Sequence, residues 1–144
     1  IGQYGFQTTV MQVVQAVDAI VNDGLLRKPT ILKGEVGEVI RQIDIPSSHF
    51  KVGKEGMRLG VTEGTGKSLN VPYVEMATKS GTAELGVAKD NVNSWMTGYF
   101  PYKNPRYAFA MLMEKGSVHN LIGAGAAMRE TIDWMSVNAP EYFK

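Results

Sequence analysis

The chain has no cysteine. That excludes disulfides, cysteine-ligated zinc and a thiol nucleophile, and it fits a secreted or envelope protein. Histidine is scarce: His49 and His119 stand alone, too isolated for a metal centre or a catalytic triad, and each reads as a surface or loop residue. Charge of one sign is lacking too. Against 15 Lys and Arg stand 14 Asp and Glu, a formal net charge of +1, so there is no electrostatic footprint for nucleic acid. No apolar run approaches the roughly 18 residues of a membrane span, and no signal peptide is visible. What is present is a chain of 144 residues, 44% hydrophobic. That is enough for one globular domain and too little for two. It begins at Ile1, directly inside what reads as an ordered motif. We therefore read residues 1–144 as a portion of a single domain within a longer polypeptide, any targeting or anchor segment lying outside it.

Periodicity orders the rest. Thr8 or Thr9 caps a predicted helix reaching Asp23, with Val10, Val13, Val14, Val17, Ile20 and Val21 on one core-facing stripe and Gly24 as its stop. Residues 29–45 read as short strands and turns. Pro46, Ser47 and Ser48 offer a second helix start, with Ser48 as cap, although Gly53, Gly56 and Gly60 count against a helix there. Residues 63–70 form a Gly-, Thr- and Ser-rich loop. A strand is predicted over 73–78, a loop over 85–93, and strands over 94–100 and 107–114, joined by the turn from Pro101 to Pro105. The last strand is apolar on both faces from Ala108 to Met113, which predicts a central strand covered by helices on both sides. A helix over 124–137 closes the chain. The fold class is α+β: three strands in an antiparallel meander under helices.

The tetrad Lys79-Ser80-Gly81-Thr82, followed by Ala83-Glu84, is placed by this reading at the end of the 73–78 strand. It sets one fixed cation beside two hydroxyls. Alternation along a strand puts Ser80 and Thr82 on one face, and Gly81 between them leaves room for a ligand against the backbone. Such an edge suits the carboxylate and carbonyl of an acyl substrate; an ordinary exposed strand end is the plain alternative. Trp95, Tyr99 and Phe109 are expected to pack the sheet, and Glu84, Lys103 and Arg106 to be solvated charges.

In order along the chain stand Ile1-Gly2-Gln3-Tyr4-Gly5-Phe6-Gln7-Thr8-Thr9, Val21-Asn22-Asp23-Gly24, Gly56-Met57, the tetrad, Trp95-Met96-Thr97-Gly98-Tyr99-Phe100-Pro101 and Asn104-Pro105-Arg106-Tyr107-Ala108. This collinear set resembles the C-terminal half of the transpeptidase domain of class B penicillin-binding proteins, most like the elongation-type branch, penicillin-binding protein 2. Tyr4 stands where the family usually has a second glycine. The resemblance implies a partial β-lactamase/transpeptidase-like fold and a serine acyl-transfer enzyme that crosslinks peptidoglycan. In that chemistry a serine attacks the D-Ala-D-Ala bond, D-alanine leaves, and an amine from a neighbouring stem peptide resolves the acyl-enzyme; β-lactams acylate the same serine.

By the same resemblance Lys79 supplies positive charge and aids proton transfer. Ser80 and Thr82 bind the terminal carboxylate, Gly81 lets the substrate approach, and the Thr82 N–H forms half of an oxyanion hole. The nucleophile would lie outside this chain, which alone would be inactive. Implied partners are the stem peptide, β-lactams, the remaining part of the transpeptidase domain and cell-wall elongation proteins, with no cofactor and no nucleic acid. The implied location is the extracytoplasmic face of the bacterial cytoplasmic membrane, anchored by a segment outside these residues. A non-enzymatic β-lactam sensor of the same superfamily is the alternative. The strand over 107–114 would have an unpaired edge here, since two further strands complete the sheet in the family.

Three strings mimic functional motifs. Ser48-His49-Phe50-Lys51 matches Ser-x-x-Lys, and Ser68-Leu69-Asn70 matches Ser-x-Asn. Both follow the Ile-Gly-Gln segment, whereas the family's motifs precede it, and they stand far closer together than the family's do. Gly64-Thr65-Gly66-Lys67-Ser68 suggests a phosphate-binding loop, but Val61 stands where that loop needs its first glycine.

Overall fold

A computed structural model of the chain describes residues 5–143. Ile1, Gly2, Gln3 and Tyr4, which open the Ile-Gly-Gln segment, lie outside the described residues. The element order is α1 (Val10–Val21), β1 (Leu25–Arg27), β2 (Val39–Gln42), α2 (Ser47–Thr62), β3 (Ala77–Leu85), β4 (Asn91–Phe100), β5 (Tyr107–Ser117) and α3 (Ala124–Asn138). Short 3-10 turns occupy Lys67–Leu69 and Pro140–Phe143. The sheet runs β3-β4-β5, antiparallel throughout, and β1 pairs with β2 in a separate two-stranded ribbon.

Thr9 is the cap of α1. Its hydroxyl accepts from the Gln12 N–H at 3.2 Å, and the Gln12 side chain accepts from the Thr9 N–H at 2.8 Å, a reciprocal capping box. The helix stops where Asp23 and Gly24 turn to positive φ, with the Gly24 N–H bonded to the Ala19 carbonyl at 2.7 Å. Only Val17 of the predicted stripe is buried; Val13, Val14, Ile20 and Val21 are half-buried and Val10 is exposed. The helix packs on β4, β5 and the β1–β2 ribbon from one side, which covers part of the stripe.

α2 forms across its three glycines because Phe50, Met57 and Val61 bury one stripe. Tertiary contact outweighs a propensity cost of about 1 kcal/mol per glycine. The helix begins at Ser47, with Pro46 in the cap position and no side-chain cap bond. Ser48 is therefore inside the first turn and does not cap, a correction to the sequence reading.

The strand carrying the tetrad starts later than expected. Residues 73–76 are irregular, and β3 begins at Ala77, so the tetrad lies within the strand rather than at its end. The β3–β4 connection is short, since β3 runs to Leu85 and β4 starts at Asn91, and Lys89 bridges back to Glu84 at 2.8 Å. Lys103, expected as a solvated charge, stays exposed but pairs with Glu75 at 3.2 Å, and Arg106 lies over the Tyr107 ring.

Helices cover both faces of the sheet. On one face α3 lays Met128 and Ile132 onto Met96 and Phe100, with Val61, Leu69 and Met76 completing that core and Phe109 and Met111 at its margin. On the other, Val17 and Met57 pack with Ala77 and Tyr99. β5 is thus apolar on both sides because α1 and α3 both touch it. It is not central, however: among the described residues it pairs only with β4 and forms an edge.

A polar clamp fastens α3 to the loop before β3. Arg129 donates to the Ser68 carbonyl at 2.9 Å and to Asp133 at 2.7 Å, while the Tyr73 hydroxyl donates to the other Asp133 oxygen. The bonds from Tyr73 and Arg129 hold the Asp133 carboxyl below its ordinary range. Burial, then the adjoining carboxylate, pushes the Tyr73 phenol up to about 12.

Two predictions follow from this packing. A methyl on Gly98 would press into the Ala77 carbonyl and lie 3.0 Å from Thr78 Cα. Gly98→Ala should therefore cost about 3 kcal/mol in a denaturant melt, by forcing β3 and β4 apart. Asp133 has a lowered folded pKa, so its contribution is full above the unfolded value near about 4 and is lost as pH falls through the folded value. Asp133→Asn should lower Tm at neutral pH, and the gap to wild type should close in acid.

Candidate active site

Which way the backbone of β3 points follows from its neighbours. The Ala77 carbonyl is directed at Gly98 on β4, whereas the Thr78 carbonyl is directed at Gly60 of α2. Backbone groups alternate along a strand. Ser80 and Thr82 therefore turn their N–H and C=O away from β4, toward an edge that no other described strand pairs with. α2 closes this edge at Thr78. A Cβ on Gly60 would sit 2.7 Å from the Thr78 oxygen, so only glycine permits the approach. Beyond it, no strand among the described residues pairs with the edge.

The tetrad decorates that open stretch. Ser80 and Thr82 oppose Met96 and Ser94 and share the face that carries α3. Lys79 and Gly81 alternate to the face of Trp95 and Tyr99. The Lys79 stem nevertheless brings its ammonium round to the edge, where Nζ donates to the Ser80 carbonyl at 2.6 Å. The cation and both hydroxyls therefore meet along one edge. Lys79 and Thr82 are exposed, and Ser80 and Gly81 half-buried. A Cβ on Gly81 would stand 3.4 Å from Trp95 Cβ, so the glycine keeps that side low.

Next to Thr82 the same face opens into a groove of about 320 Å³, lined by Ser94, Met113, Leu121, Ile122 and Gly123 among others. Ser94 forms part of its wall and at the same time caps α3, accepting from the Ala124 N–H at 2.9 Å. Gly123 lies so close that a Cβ would come within 2.7 Å of the Ser94 hydroxyl.

Sequence reasoning missed two contributors. One is Ser94, read only as the start of a strand. The other is Thr65, whose hydroxyl lies 2.6 Å from that of Ser80. The available signal was a threonine set between two glycines in a loop that leads into the tetrad strand.

The motif mimics fall elsewhere. Ser48 and Lys51 are exposed in the first turns of α2, and Lys51 approaches Glu55 at 4.0 Å. Twelve positions separate Ser48 from the Gly60 contact, which is about 18 Å along a helix axis. Ser68 turns to α3, its hydroxyl donating to the Gly125 carbonyl at 3.4 Å. Gly64-Thr65-Gly66 follows a helix rather than the strand a phosphate-binding loop requires.

Comparison with known proteins identifies the family. A family model, the penicillin binding protein transpeptidase domain, matches residues 2–132. Peptidoglycan D,D-transpeptidase MrdA of Escherichia coli K12 is 30% identical over 161 residues, covering 92% of this chain and 25% of that protein. The D,D-transpeptidase domain of a peptidoglycan glycosyltransferase from Eggerthella lenta superposes with a TM-score of 0.72 at 25% identity, covering 94% of this chain and 34% of that one. PBPA from Mycobacterium tuberculosis gives a TM-score of 0.75 at 24% identity over 96% of this chain and 36% of its own, a likeness of fold. The chain spans about a quarter of the length of the curated relative it matches in E. coli. With the family model matching most of its length and solved relatives sharing its fold, the chain belongs to the penicillin-binding protein transpeptidase family.

Proposed function

We propose that this chain supplies the Lys-Ser-Gly-Thr wall of a peptidoglycan D,D-transpeptidase active site. The observation that carries the reading is the open edge of β3, where the Lys79 ammonium sits 2.6 Å from the Ser80 carbonyl beside two exposed or half-exposed hydroxyls. The substrate class is the D-Ala-D-Ala end of a stem peptide, with β-lactams as covalent mimics. Lys79 offers positive charge to an anionic substrate end and to proton transfer at the nucleophile. The Ser80 and Thr82 hydroxyls donate to the terminal carboxylate. The Thr82 N–H, turned out from β4, is half of an oxyanion hole, and the other half is the N–H of the attacking serine.

That serine, its base and the middle motif come from a further portion of the transpeptidase domain. On this reading residues 1–144 are inactive alone, and the free edge of β5 is where that portion adds strands. The full protein works at the extracytoplasmic face of the bacterial cytoplasmic membrane, held by an anchor outside these residues, together with cell-wall elongation proteins. It needs no cofactor.

Fluorescent penicillin tests the reading. The full-length protein should label, and Lys79→Ala should slow acylation by about a hundredfold. A full-length protein that never labels overturns the proposal; one that labels but never joins stem peptides is instead a β-lactam sensor. Residues 1–144 alone should stay unlabelled.

The backbone role of Thr82 has its own test. Because its N–H points away from β4, proline is tolerated there as it is on edge strands. Thr82→Pro should cut acylation by about a hundredfold, while Thr82→Ala, which keeps the N–H, should cost far less. Equal losses in the two variants would assign the effect to the hydroxyl and remove the oxyanion role.

A further inference from the structure

The loop before β3 is held against the strand by close backbone packing. The Gly64 N–H donates to the Leu59 carbonyl at 3.0 Å, and the Gly66 N–H to the Gly60 carbonyl at 2.8 Å. Gly66 is buried, and a Cβ on it would press into the Thr78 hydroxyl. A Cβ on Gly64 would lie 3.0 Å from Gly60. The residue between these two glycines is thus carried on the rigid junction of α2 and β3. That residue is Thr65, which is exposed, and its hydroxyl reaches the Ser80 hydroxyl at 2.6 Å.

We infer that Thr65 is a positioning residue for Ser80, and that the two hydroxyls act as a pair presenting one shared proton to the carboxylate of the ligand. The inference rests on the transpeptidase reading and extends it to a residue outside the tetrad. Two hydroxyls at this separation have two protons between them, and one is used in their mutual bond. Either oxygen can be the donor, and in both cases a single proton remains for a third group. A lone Ser80 hydroxyl would have three staggered rotamers to choose from. Thr65 removes that freedom, because its own χ1 is restricted by branching at Cβ and its backbone is pinned by the glycines. The mutual bond also polarises the remaining O–H, which strengthens it toward an anion. Lys79 stands on the same edge through its bond to the Ser80 carbonyl, so the pair and the cation meet one negatively charged ligand.

The test is the acylation rate of the full-length protein by a penicillin with a free carboxylate and by the methyl ester of the same penicillin. Thr65→Val keeps the branched shape and removes the hydroxyl. It should slow acylation by the acid about tenfold, the scale of one charge-assisted hydrogen bond, and leave the ester unchanged, with Tm unaltered. Thr65→Ser should recover acylation by the acid to within about twofold of wild type, since it restores the same bond. Adding Thr65→Val to Ser80→Ala should cause no further loss, because one coupled unit has already been removed. Wild-type rates for Thr65→Val with the acid, an equal fall for acid and ester, or multiplying losses in the double variant would each overturn the inference. A wild-type protein that neither penicillin acylates would instead defeat the transpeptidase reading beneath it.

Discussion

The last turn of α2 approaches the start of β3 so closely that only a glycine fits between them. Gly60 faces the Thr78 carbonyl, and Gly66 lies against the Thr78 hydroxyl. Thr78 is almost fully buried by this contact. Three consequences follow from the one junction. The edge of β3 is blocked at Thr78 and open from Ser80 onward. The loop carrying Thr65 is set beside the tetrad. The backbone direction at Thr78 then dictates, by simple alternation, that the amide groups of Ser80 and Thr82 face out. The helix carries three glycines along its length, and at one of them the cost in helix propensity is offset by the close approach it allows.

The tetrad gathers its chemistry in spite of the pleat. Alternation divides it between two faces, with the hydroxyls on the α3 side and the lysine on the Trp95 side. An ammonium on a flexible four-carbon stem crosses this division, and a shorter cation could not. The edge is the one line that both faces border. A site built on an edge strand also gains backbone donors that a central strand would spend on its neighbours. On the proposed reading, an open edge, normally a liability for aggregation, serves the site at this position.

Around the edge the remaining structure acts as support. α3 is anchored at its start by Ser94 on β4, and along its length by Arg129 and Asp133, which reach Ser68 and Tyr73. The loop segment that leads into β3 is thereby tied to the helix that covers the sheet. A solved relative at 25% identity shares this fold, as expected if patterning and volume rather than particular side chains specify the core.

Much of this was legible in the sequence, because it depends on near neighbours. A threonine cap at position 8 or 9, the stop at Gly24, the meander, the closing helix and the shared face of Ser80 and Thr82 all follow from spacing and local backbone preference. The role given to the tetrad comes from its order among the other motifs and belongs to the proposed function. Tertiary packing alone decided that β3 begins at Ala77, that Ser48 sits inside a helix turn instead of capping it, and that Thr65 meets Ser80. Periodicity reports which residues share a face and is silent on what lies across from that face. Those contacts join residues far apart along the chain, and their geometry is fixed only when α2, the loop and the sheet close on one another.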